Sequence, residues 1–424
     1  MNKNFLALGL AAALLAPQVA GAEGFAINEW SAEGVAMGGA RMFAEDDAAN
    51  VAYNPASITK VKGEVMKSSY TYLSPHGNYK LYDSNNDEIK GEPTHNKVHA
   101  GWAVGSYYVR QINDKEWFGI GAFPRFAMVS EFERASKAST NAFFSKLNGV
   151  SVTPTYAHKF DKKWSAAVGA EINYVGLELQ KNLVIPTAGV NGTTQIEGES
   201  YALGWNAAAN YAFDDKNEIG VVYRSRIKHS LEADLKGYGT KSPASPLVGS
   251  NDVFGNAYGV VTLPDSWDIG YNHKFDKKTR LELKATRTNW STYDALNVYF
   301  DKSLVGIPGI AESSPSAKNW SNSWRYAIGL EHNFSDKYAA MAGFAFDESS
   351  IPHDGGDFMV PTGLRRTYSI GARYNDKKQT VAVALGWMDV GNLDFAGHAT
   401  DAYKSAHAYD SFTKIASISY QRKF

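Results

Sequence analysis

A two-residue alternation of apolar and polar side chains, repeated along most of the chain, restricts the possible folds more than any other feature. In residues 150–160, Val152 and Tyr156 fall on one face of an extended strand, whereas Ser151 and Thr155 fall on the other. Such a period places the two sets on opposite faces of a β-sheet. The same pattern recurs in residues 164–174, 324–334 and 367–374. The sequence therefore predicts an all-β fold whose strands have one apolar and one polar face.

Short turns rich in Asp and Lys separate the alternating segments. Asp, Asn and Ser tolerate tight-turn geometry and hydrogen-bond to nearby backbone groups, so each turn predicts a β-hairpin. Six hairpins give twelve strands, and single strands at residues 61–73 and 409–424 raise the predicted number to fourteen. The six turns begin at Asn113, Asp161, Asp214, Asp276, Ser335 and Asn375.

Two architectures are compatible with this alternation: a soluble sandwich or barrel with its apolar face inside, and a membrane barrel with its apolar face toward lipid. Three observations favour the membrane barrel. The segments reach the roughly 9–11 residues that a tilted strand needs to cross the hydrocarbon layer. Short turns alternate with long polar connections, as expected for periplasmic turns and outer loops. Aromatic side chains cluster beside the short turns, as in an interfacial girdle: Trp117, Phe160, Trp164, Phe213, Phe275, Phe334, Tyr338 and Tyr374.

The expected fold is a fourteen-stranded antiparallel transmembrane β-barrel over residues 61–424, embedded in outer-membrane lipid. The chain ends in Phe424, which shares a strand face with Ile418 and Tyr420. A terminal Phe resembles the signal that the barrel assembly machinery reads, so we expect that machinery as a partner. The long connections are expected near residues 74–94, 131–146, 179–198, 232–256, 291–322 and 391–408.

The first 22 residues have the features of a secretory signal peptide. Lys3 gives a basic start, an apolar stretch follows, and Ala20, Gly21 and Ala22 supply the small residues of a cleavage site. Beyond them, no apolar run reaches the about 18 residues of a membrane-spanning helix. We therefore expect an exported chain that no helix holds in a bilayer.

Residues 23–60 differ from the rest, because they show helix signals and many small residues but no strand alternation. A fourteen-stranded barrel has a lumen too wide for its own side chains to fill. We therefore expect residues 23–60 to plug the lumen as a hatch. Within them, Asp46 is expected to cap a short helix, and Pro55 is expected to end that helix after Tyr53.

The composition argues against several kinds of function. The formal net charge is −1, which gives no reason to expect nucleic acid as a partner. The chain has no cysteine, so neither a disulfide nor a thiolate metal site is available. No phosphate-binding loop or His-x-x-x-His pair occurs, and we expect no metal, no cofactor and no enzymatic activity. An outer-membrane lipid hydrolase and a passive hydrophilic pore are kept as alternatives, although no spacing singles out a catalytic Ser and His.

Four motifs near the N-terminus are shared with a known family: Gly24-Phe25, residues 29–34, residues 46–50 and Asn54-Pro55-Ala56. Together they resemble the hatch of the FadL/TodX family of outer-membrane channels. Members of that family move long-chain fatty acids or small aromatic hydrocarbons across the outer membrane of Gram-negative bacteria. Residues 223–227, 263–267, 290–293 and 343–352 resemble its internal signatures. The resemblance implies that the hatch gates transport through Phe25, Gly38, Gly39, Asn54, Pro55 and Ala56.

The third strand breaks the simple alternation. Gly119, Gly121 and Pro124 lie within it, and because glycine weakens a ladder and proline cannot donate to one, we expect a bend or a loss of pairing. In the FadL/TodX family an inward kink of this strand opens a side portal, and the resemblance implies the same here, with Phe123 and Phe126 as further portal residues. A bulge that only shapes the barrel is the alternative.

Long-chain fatty acids are the expected substrates, because this is the commoner role in the family, and small aromatic hydrocarbons are the alternative. We expect capture by the outer loops, a rearrangement of the hatch, and lateral exit at the third strand of a monomeric channel. Arginines on polar faces are candidates for binding a carboxylate, although such residues often pair with luminal acids such as Glu171. The candidates for substrate binding are Leu247, Val248 and Val253 on the loops, and Arg125, Arg224 and Arg226.

Overall fold

The computed structural model of the protein describes residues 24–93, 95–97, 100–185, 190–239, 252–293, 295–301, 313–353, 355–399 and 401–424. The strands in these ranges are β1 (Glu64–Tyr82), β2 (Gly101–Gln111), β3 (Glu116–Glu131), β4 (Phe144–Lys159), β5 (Trp164–Ile185), β6 (Val190–Ala212), β7 (Asn217–Arg224), β8 (Ile227–Tyr238), β9 (Val253–Leu263), β10 (Ser266–Lys274), β11 (Thr279–Thr288), β12 (Ala295–Phe300), β13 (Ser313–Ala317), β14 (Ser323–Asn333), β15 (Tyr338–Asp347), β16 (Arg365–Asn375), β17 (Gln379–Val390), β18 (Leu393–Ala396) and β19 (Ser405–Lys423).

These strands form a closed barrel of fourteen antiparallel wall strands, as the sequence predicts. Five wall strands consist of two collinear pieces each, namely β7 with β8, β9 with β10, β11 with β12, β13 with β14, and β17 with β18. The barrel closes because β1 pairs with β2 on one edge and with β19 on the other. Closure leaves no sheet edge exposed to lipid at this seam.

Hydrogen bonds from the backbone to Asp side chains fix the short turns. The carboxylate of Asp161 accepts the N–H groups of Lys163 (2.7 Å) and Trp164 (2.8 Å), and Asp276 makes the equivalent pair of contacts. These backbone donors lower the pKa of Asp161, which lies outside the membrane-spanning strands. The turns are therefore those that the Asp-Lys pattern predicts.

On the side of the long connections, the strands continue further than the sequence predicts. β1 reaches Tyr82, and β5 and β6 stay paired up to the Ile185–Val190 pair, so the loops expected from residue 74 and over residues 179–198 are shorter. β12 and β13 lie within the expected loop 291–322. The outward side chains of β8 include Glu232, Asp234 and Lys236, so this end of the wall is polar on its outer face. The apolar alternation stops there although the strand does not.

The faces of the wall have the orientation expected of a membrane barrel. On β4, Ser151 and Thr155 are buried toward the interior, whereas Tyr156 is 41% exposed on the outer face. On β17, Leu385 is 62% exposed. No helix within the described residues is long and apolar enough to cross a bilayer.

Residues 24–60 fill the barrel lumen, and we call them the luminal segment. The helix Ala32–Ala36 packs against β15, β16, β17 and β19, whereas the 3₁₀-helix Pro55–Lys60 packs against β3 to β6. Because almost all of its residues are buried and it contacts opposite sides of the wall, the segment spans the lumen.

The short helix Asn50–Tyr53 of the luminal segment ends before Pro55, as predicted, but its start differs from the prediction. Asp46 has a φ of 54° and its carboxylate accepts the N–H of Lys62 (3.1 Å), so it does not cap the helix. The carboxylate of Asp47 accepts the N–H of Ala49 (2.9 Å). The left-handed turn at Asp46 directs its side chain away from the helix.

We predict that Leu385→Arg destabilises the barrel by about 2–4 kcal/mol, because its exposed outward side chain lies in the middle of β17, where an arginine would lie in hydrocarbon. The free energy of unfolding from lipid vesicles measures the effect. Glu232→Arg, on the polar outer face of β8, is the matched control and should change it little. Equal effects of the two substitutions would contradict the assigned membrane position.

Candidate functional site

Three charged side chains of the luminal segment are buried against the wall. Nζ of Lys67 on β1 lies 2.7 Å from Oε2 of Glu33 and 2.9 Å from Oδ1 of Asp47. The guanidinium of Arg41 lies 3.1 Å from Asp47 and 2.9 Å from Glu331 of β14. Moving the segment away from this side of the wall would leave buried charges without partners, which is strongly unfavourable.

Glu331 joins this cluster to three wall strands. Besides Arg41, its carboxylate receives Arg280 of β11 (2.8 Å) and Arg373 of β16 (2.7 Å). Arg280 also pairs with Glu282, whose Oε2 accepts the N–H of Met42 at 2.6 Å. The cluster therefore holds both side chains and backbone of the luminal segment.

The pKa values of two acids of the luminal segment are shifted in opposite directions. Burial by itself would raise the pKa of Asp47, but Lys67 and Arg41 outweigh it and hold that pKa below its ordinary value. Burial raises the pKa of Glu29, and the charge of Arg325 offsets only part of the rise. Asp47 therefore stays ionised while Glu29 is the acid that binds a proton more readily.

The segment approaches the wall most closely at Gly38 and Gly39. Both have a positive φ, of 62° and 87°, which favours glycine. A Cβ on Gly343 of β15 would lie only 2.2 Å from the nitrogen of Gly38, so a side chain there would not fit. Arg325 of β14 donates to the carbonyl of Gly38 at 2.9 Å. The chain therefore approaches the wall here more closely than a side chain would allow.

The Asn54-Pro55-Ala56 motif attaches the segment to β5 and β6. The Asn54 side chain accepts the N–H of Ala56 (3.1 Å) and donates to the Asn210 side chain (2.7 Å). Pro55 opens the 3₁₀-helix, where the missing N–H is not needed. Ser165 of β5 donates to the carbonyl of Ala56 at 3.3 Å. All these contacts involve neutral groups.

The ring of Phe25 is completely buried in an aromatic cage. Its centroid lies 4.8 Å from that of Trp290, 5.3 Å from Tyr293, 5.8 Å from Trp320 and 5.9 Å from Phe126. Such aromatic pairs contribute about 0.5–1.5 kcal/mol beyond the burial of their area. The cage therefore holds the start of the luminal segment through contacts with the buried ring of Phe25.

The wall is incomplete between β2 and β3. Their pairing ends at Ser106 and Ala122, although β3 continues to Glu131. The register between β3 and β4 shifts between Pro124 and Phe126. The break in pairing that the sequence predicts for the third strand is therefore confirmed.

The luminal segment occupies the free edge of β3. Ile27 donates its N–H to the carbonyl of Arg125 (2.8 Å), and Ala127 donates to that of Phe25 (2.9 Å). The indole N–H of Trp30 donates to the carbonyl of Pro124 at 2.6 Å. In this structure the segment thus supplies hydrogen bonds that β2 does not.

Side-chain packing also covers the inner face of this region. The ring of Phe123 lies 5.3 Å from that of Trp30. A Cβ on Gly119 or Gly121 would lie 2.8 and 3.0 Å from the Val51 side chain. The predicted portal residues are therefore brought together with the luminal segment.

A cavity of about 80 Å³ lies between β1, β3, β17, β19 and residues 358–362. It is smaller than a typical small-molecule site, so the side chains around it would have to move to admit a ligand. Arg365 lies on its wall and donates to the hydroxyl of Thr362 (2.8 Å) and to the carbonyl of Gly24 (3.2 Å). One cation therefore connects the cavity to the start of the luminal segment. Its apolar lining includes Met128, Phe358, Met359, Met388 and Phe412.

The three arginines predicted to bind a carboxylate are already paired. Arg125 contacts Glu171 at 2.8 Å and Arg224 contacts Asp268 at 2.7 Å, both buried. Arg226 is mostly exposed and lies 3.2 Å from Asp265. A ligand carboxylate would have to compete with these acids.

The predicted apolar loop residues lie apart from the luminal segment or outside the described ranges. Val253 begins β9 and packs with Leu235, Ala257 and Val298. Leu247 and Val248 lie outside the described residues. Sequence reasoning missed Arg365 and the cavity side chains, although the apolar run at residues 358–360 in a long connection is a signal for them.

A polar-lined barrel filled by its own N-terminal segment, with an apolar cavity beside that segment and a gap in the wall, defines a membrane transport protein rather than an open pore. A family model described as "Outer membrane protein transport protein (OMPP1/FadL/TodX)" matches residues 13–424. The chain belongs to this family. It is accordingly an outer-membrane protein of a Gram-negative bacterium.

Two relatives illustrate the similarity in sequence. A long-chain fatty acid transport protein of Escherichia coli O6:H1 is 24% identical over 437 residues, covering 94% of each chain. Outer membrane protein P1 of Haemophilus influenzae is 23% identical over 423 residues, covering 88% of this chain and 86% of the relative.

Two solved structures share the fold. A Pseudomonas aeruginosa FadL homologue superposes with a TM-score of 0.82 at 18% identity, covering 95% of this chain and all of that one. The P. putida toluene transporter TodX superposes with a TM-score of 0.71 at 17% identity, covering 94% and 99%. At these identities the likeness establishes the fold alone.

We predict that Glu29→Gln stabilises the protein at pH 8 and not at pH 4. Because burial raises the pKa of Glu29 in the folded state, its stabilising contribution is present below the ordinary value of 4.5 and is lost as pH rises through the folded pKa. The glutamine avoids this loss. Thermal unfolding in detergent across this pH range measures it.

Glu232→Gln is the control for this series, because Glu232 is exposed on the outer face of β8. Its unfolding temperature should follow that of the unchanged protein at every pH. If the stabilisation by Glu29→Gln increased as the pH fell, the raised pKa of Glu29 would be wrong.

Proposed function

We propose that this protein takes up hydrophobic molecules from outside the cell, and that long-chain fatty acids are its principal substrates. The apolar cavity with Arg365 on its wall is the observation that carries the proposal. Methionine side chains adapt to flexible ligands, which suits an acyl chain. The fatty acid transport proteins among the relatives support the same choice.

Arg365 is the residue that would bind the carboxylate. A guanidinium stays charged and binds carboxylates through paired hydrogen bonds. The same group donates to the carbonyl of Gly24, next to the caged ring of Phe25. Carboxylate binding would therefore compete with a contact that holds the start of the luminal segment, which then acts as a hatch.

Exit is proposed to occur sideways through the gap between β2 and β3. Backbone groups of β3 beyond Ala122 are paired with the luminal segment and not with β2. Displacing that segment would open a path past Gly121 and Phe123 into the bilayer. Lateral release suits an oily molecule, because exposing it to the aqueous periplasm costs about 0.8 kcal/mol per CH₂ group.

Small aromatic hydrocarbons are a second candidate, favoured by the aromatic cage. Trp290, Tyr293 and Trp320 surround the ring of Phe25, so the cage already fits a benzene ring. A solved structure with this fold is the toluene transporter TodX. An aromatic substrate would replace Phe25 and would not need Arg365.

Arg365→Met tests the fatty acid assignment. Hydrogen bonds to charged groups are worth about 1.5–3 kcal/mol, so oleate affinity should fall roughly 10-fold or more. Uptake of labelled oleate and of labelled xylene is measured in cells that lack their own uptake channel. Oleate uptake should fall and xylene uptake should not.

Arg366→Met is the matched control, since the neighbouring Arg366 faces outward and pairs with Asp389. It should leave both rates unchanged. If the unmodified protein takes up xylene but not oleate, the aromatic candidate replaces the fatty acid. If it takes up neither, the proposed transport function is wrong.

Pro124→Ala tests the lateral exit. An alanine supplies the missing backbone donor and favours regular pairing of β3, so we expect oleate uptake to fall while oleate binding is retained. Pro154→Ala in the neighbouring strand β4 is the control and should have the smaller effect. Unchanged uptake in Pro124→Ala would count against the portal.

A further inference from the structure

Ion pairs attach the luminal segment to only part of the barrel circumference. Glu33 and Asp47 pair with β1, and Arg41 pairs with β14. Lys60 lies 2.7 Å from Glu218 of β7, and Glu45 lies 3.0 Å from Lys274 of β10. Throughout the described part of the chain, no ion pair joins the segment to β2, β3, β4, β5 or β6.

One stretch of the segment, which faces β3 to β6, carries no charged residue. Residues 48–59, between Asp47 and Lys60, have the sequence AANVAYNPASIT. Asp47 and Lys60 are both held by ion pairs, so the uncharged stretch is fixed at its two ends. The charges thus bracket it on both sides.

Apart from one hydrogen bond from Arg224, neutral contacts hold this stretch to the wall. Val51 lies against Gly119 and Gly121 of β3, and Ile58 also lies against Gly119. Its polar contacts to β5 and β6 are hydroxyl and amide hydrogen bonds of Asn54, Ala56 and Ser57, and Arg224 of β7 adds one bond to the carbonyl of Ala52. Moving the stretch away from the wall would therefore leave none of its own side chains as an unpaired buried charge.

We propose that residues 33–47 stay fixed to the wall during transport, and that residues 48–59 bend away from β3–β6, together with the displacement of residues 24–30 from the edge of β3, to let the substrate pass. The inference rests on the proposed transport function and adds to it the face of the segment along which the molecule moves. That face comprises Val51, Ala52 and Ile58, opposite Gly119 and Phe123. Because the ion pairs around Arg41 and Lys67 are kept, the lumen beside β14 and β1 stays closed.

The absence of cysteine from the chain makes disulfide cross-linking a clean test. Val51→Cys with Gly121→Cys joins the proposed moving stretch to β3, where a Cβ on Gly121 would lie 3.0 Å from Cγ1 of Val51. Met37→Cys with Gly329→Cys joins the fixed part to β14, where the two Cβ atoms would lie 2.8 Å apart. Small adjustments bring both pairs to the Cβ separation of a disulfide.

Oleate uptake is compared between the oxidised and the reduced form of each double variant, so each protein is its own control. Oxidation should lower uptake roughly 10-fold or more in the Val51–Gly121 pair and change it less than about 2-fold in the Met37–Gly329 pair. Heat-modifiability in gel electrophoresis verifies that each barrel is folded. Ala56→Cys with Ser165→Cys joins the same stretch to β5 and replaces the first pair if that variant does not fold.

Each outcome separates the inference from the function on which it rests. If both cross-links block uptake, the whole segment has to move and the inference is wrong. If neither blocks it, residues 48–59 do not move away from β3 and the inference is again wrong. If neither the reduced variants nor the unmodified protein takes up oleate, the proposed function itself fails.

Discussion

The need to satisfy every backbone hydrogen bond within lipid is the constraint on which the rest of this structure depends. Hydrocarbon offers no partner to a free N–H or C=O group, so a spanning sheet has to close on itself. Pairing of β1 with β19 provides that closure. Where β2 and β3 separate, beyond Ser106 and Ala122, backbone from the luminal segment fills the gap. The gap is therefore tolerated because another part of the same chain supplies hydrogen bonds there.

Closure with fourteen strands creates a second requirement, since the lumen is too wide for wall side chains to fill. The luminal segment fills it, and the charged groups decide how it sits. Lys67, Glu331 and their partners bury both signs of charge together, which is acceptable only when each group keeps its partner. The buried ionic cluster therefore adds little to stability, but it favours one arrangement of the segment relative to the wall.

The same lumen combines two kinds of environment. Around Arg41 and Asp47 it is ionic, whereas the cavity near Met128 and Met388 and the cage around Phe25 are apolar. An oily molecule is favoured in the second environment and opposed by desolvation of the charges in the first. The division of the lumen thus gives a physical reason for a defined path, and Arg365 stands where the cavity meets the luminal segment.

The sequence by itself determined the wall: alternation with a period of two set the faces, Asp-Lys turns set the hairpins, and their number gave fourteen strands. It also indicated a plug formed by residues 23–60, because a fourteen-stranded lumen is too wide for wall side chains to fill, and a break near Pro124, because proline and glycine act locally on a ladder. The sequence did not predict where the strands end beyond the lipid. Charged outward residues such as Glu232 remove the apolar–polar alternation there, although the strands remain paired. Only the tertiary structure decided which charges meet, because the partners Arg41 and Glu331 are 290 positions apart. It alone revealed Arg365 and the cavity, since a luminal site is assembled across strands from residues that no short motif connects.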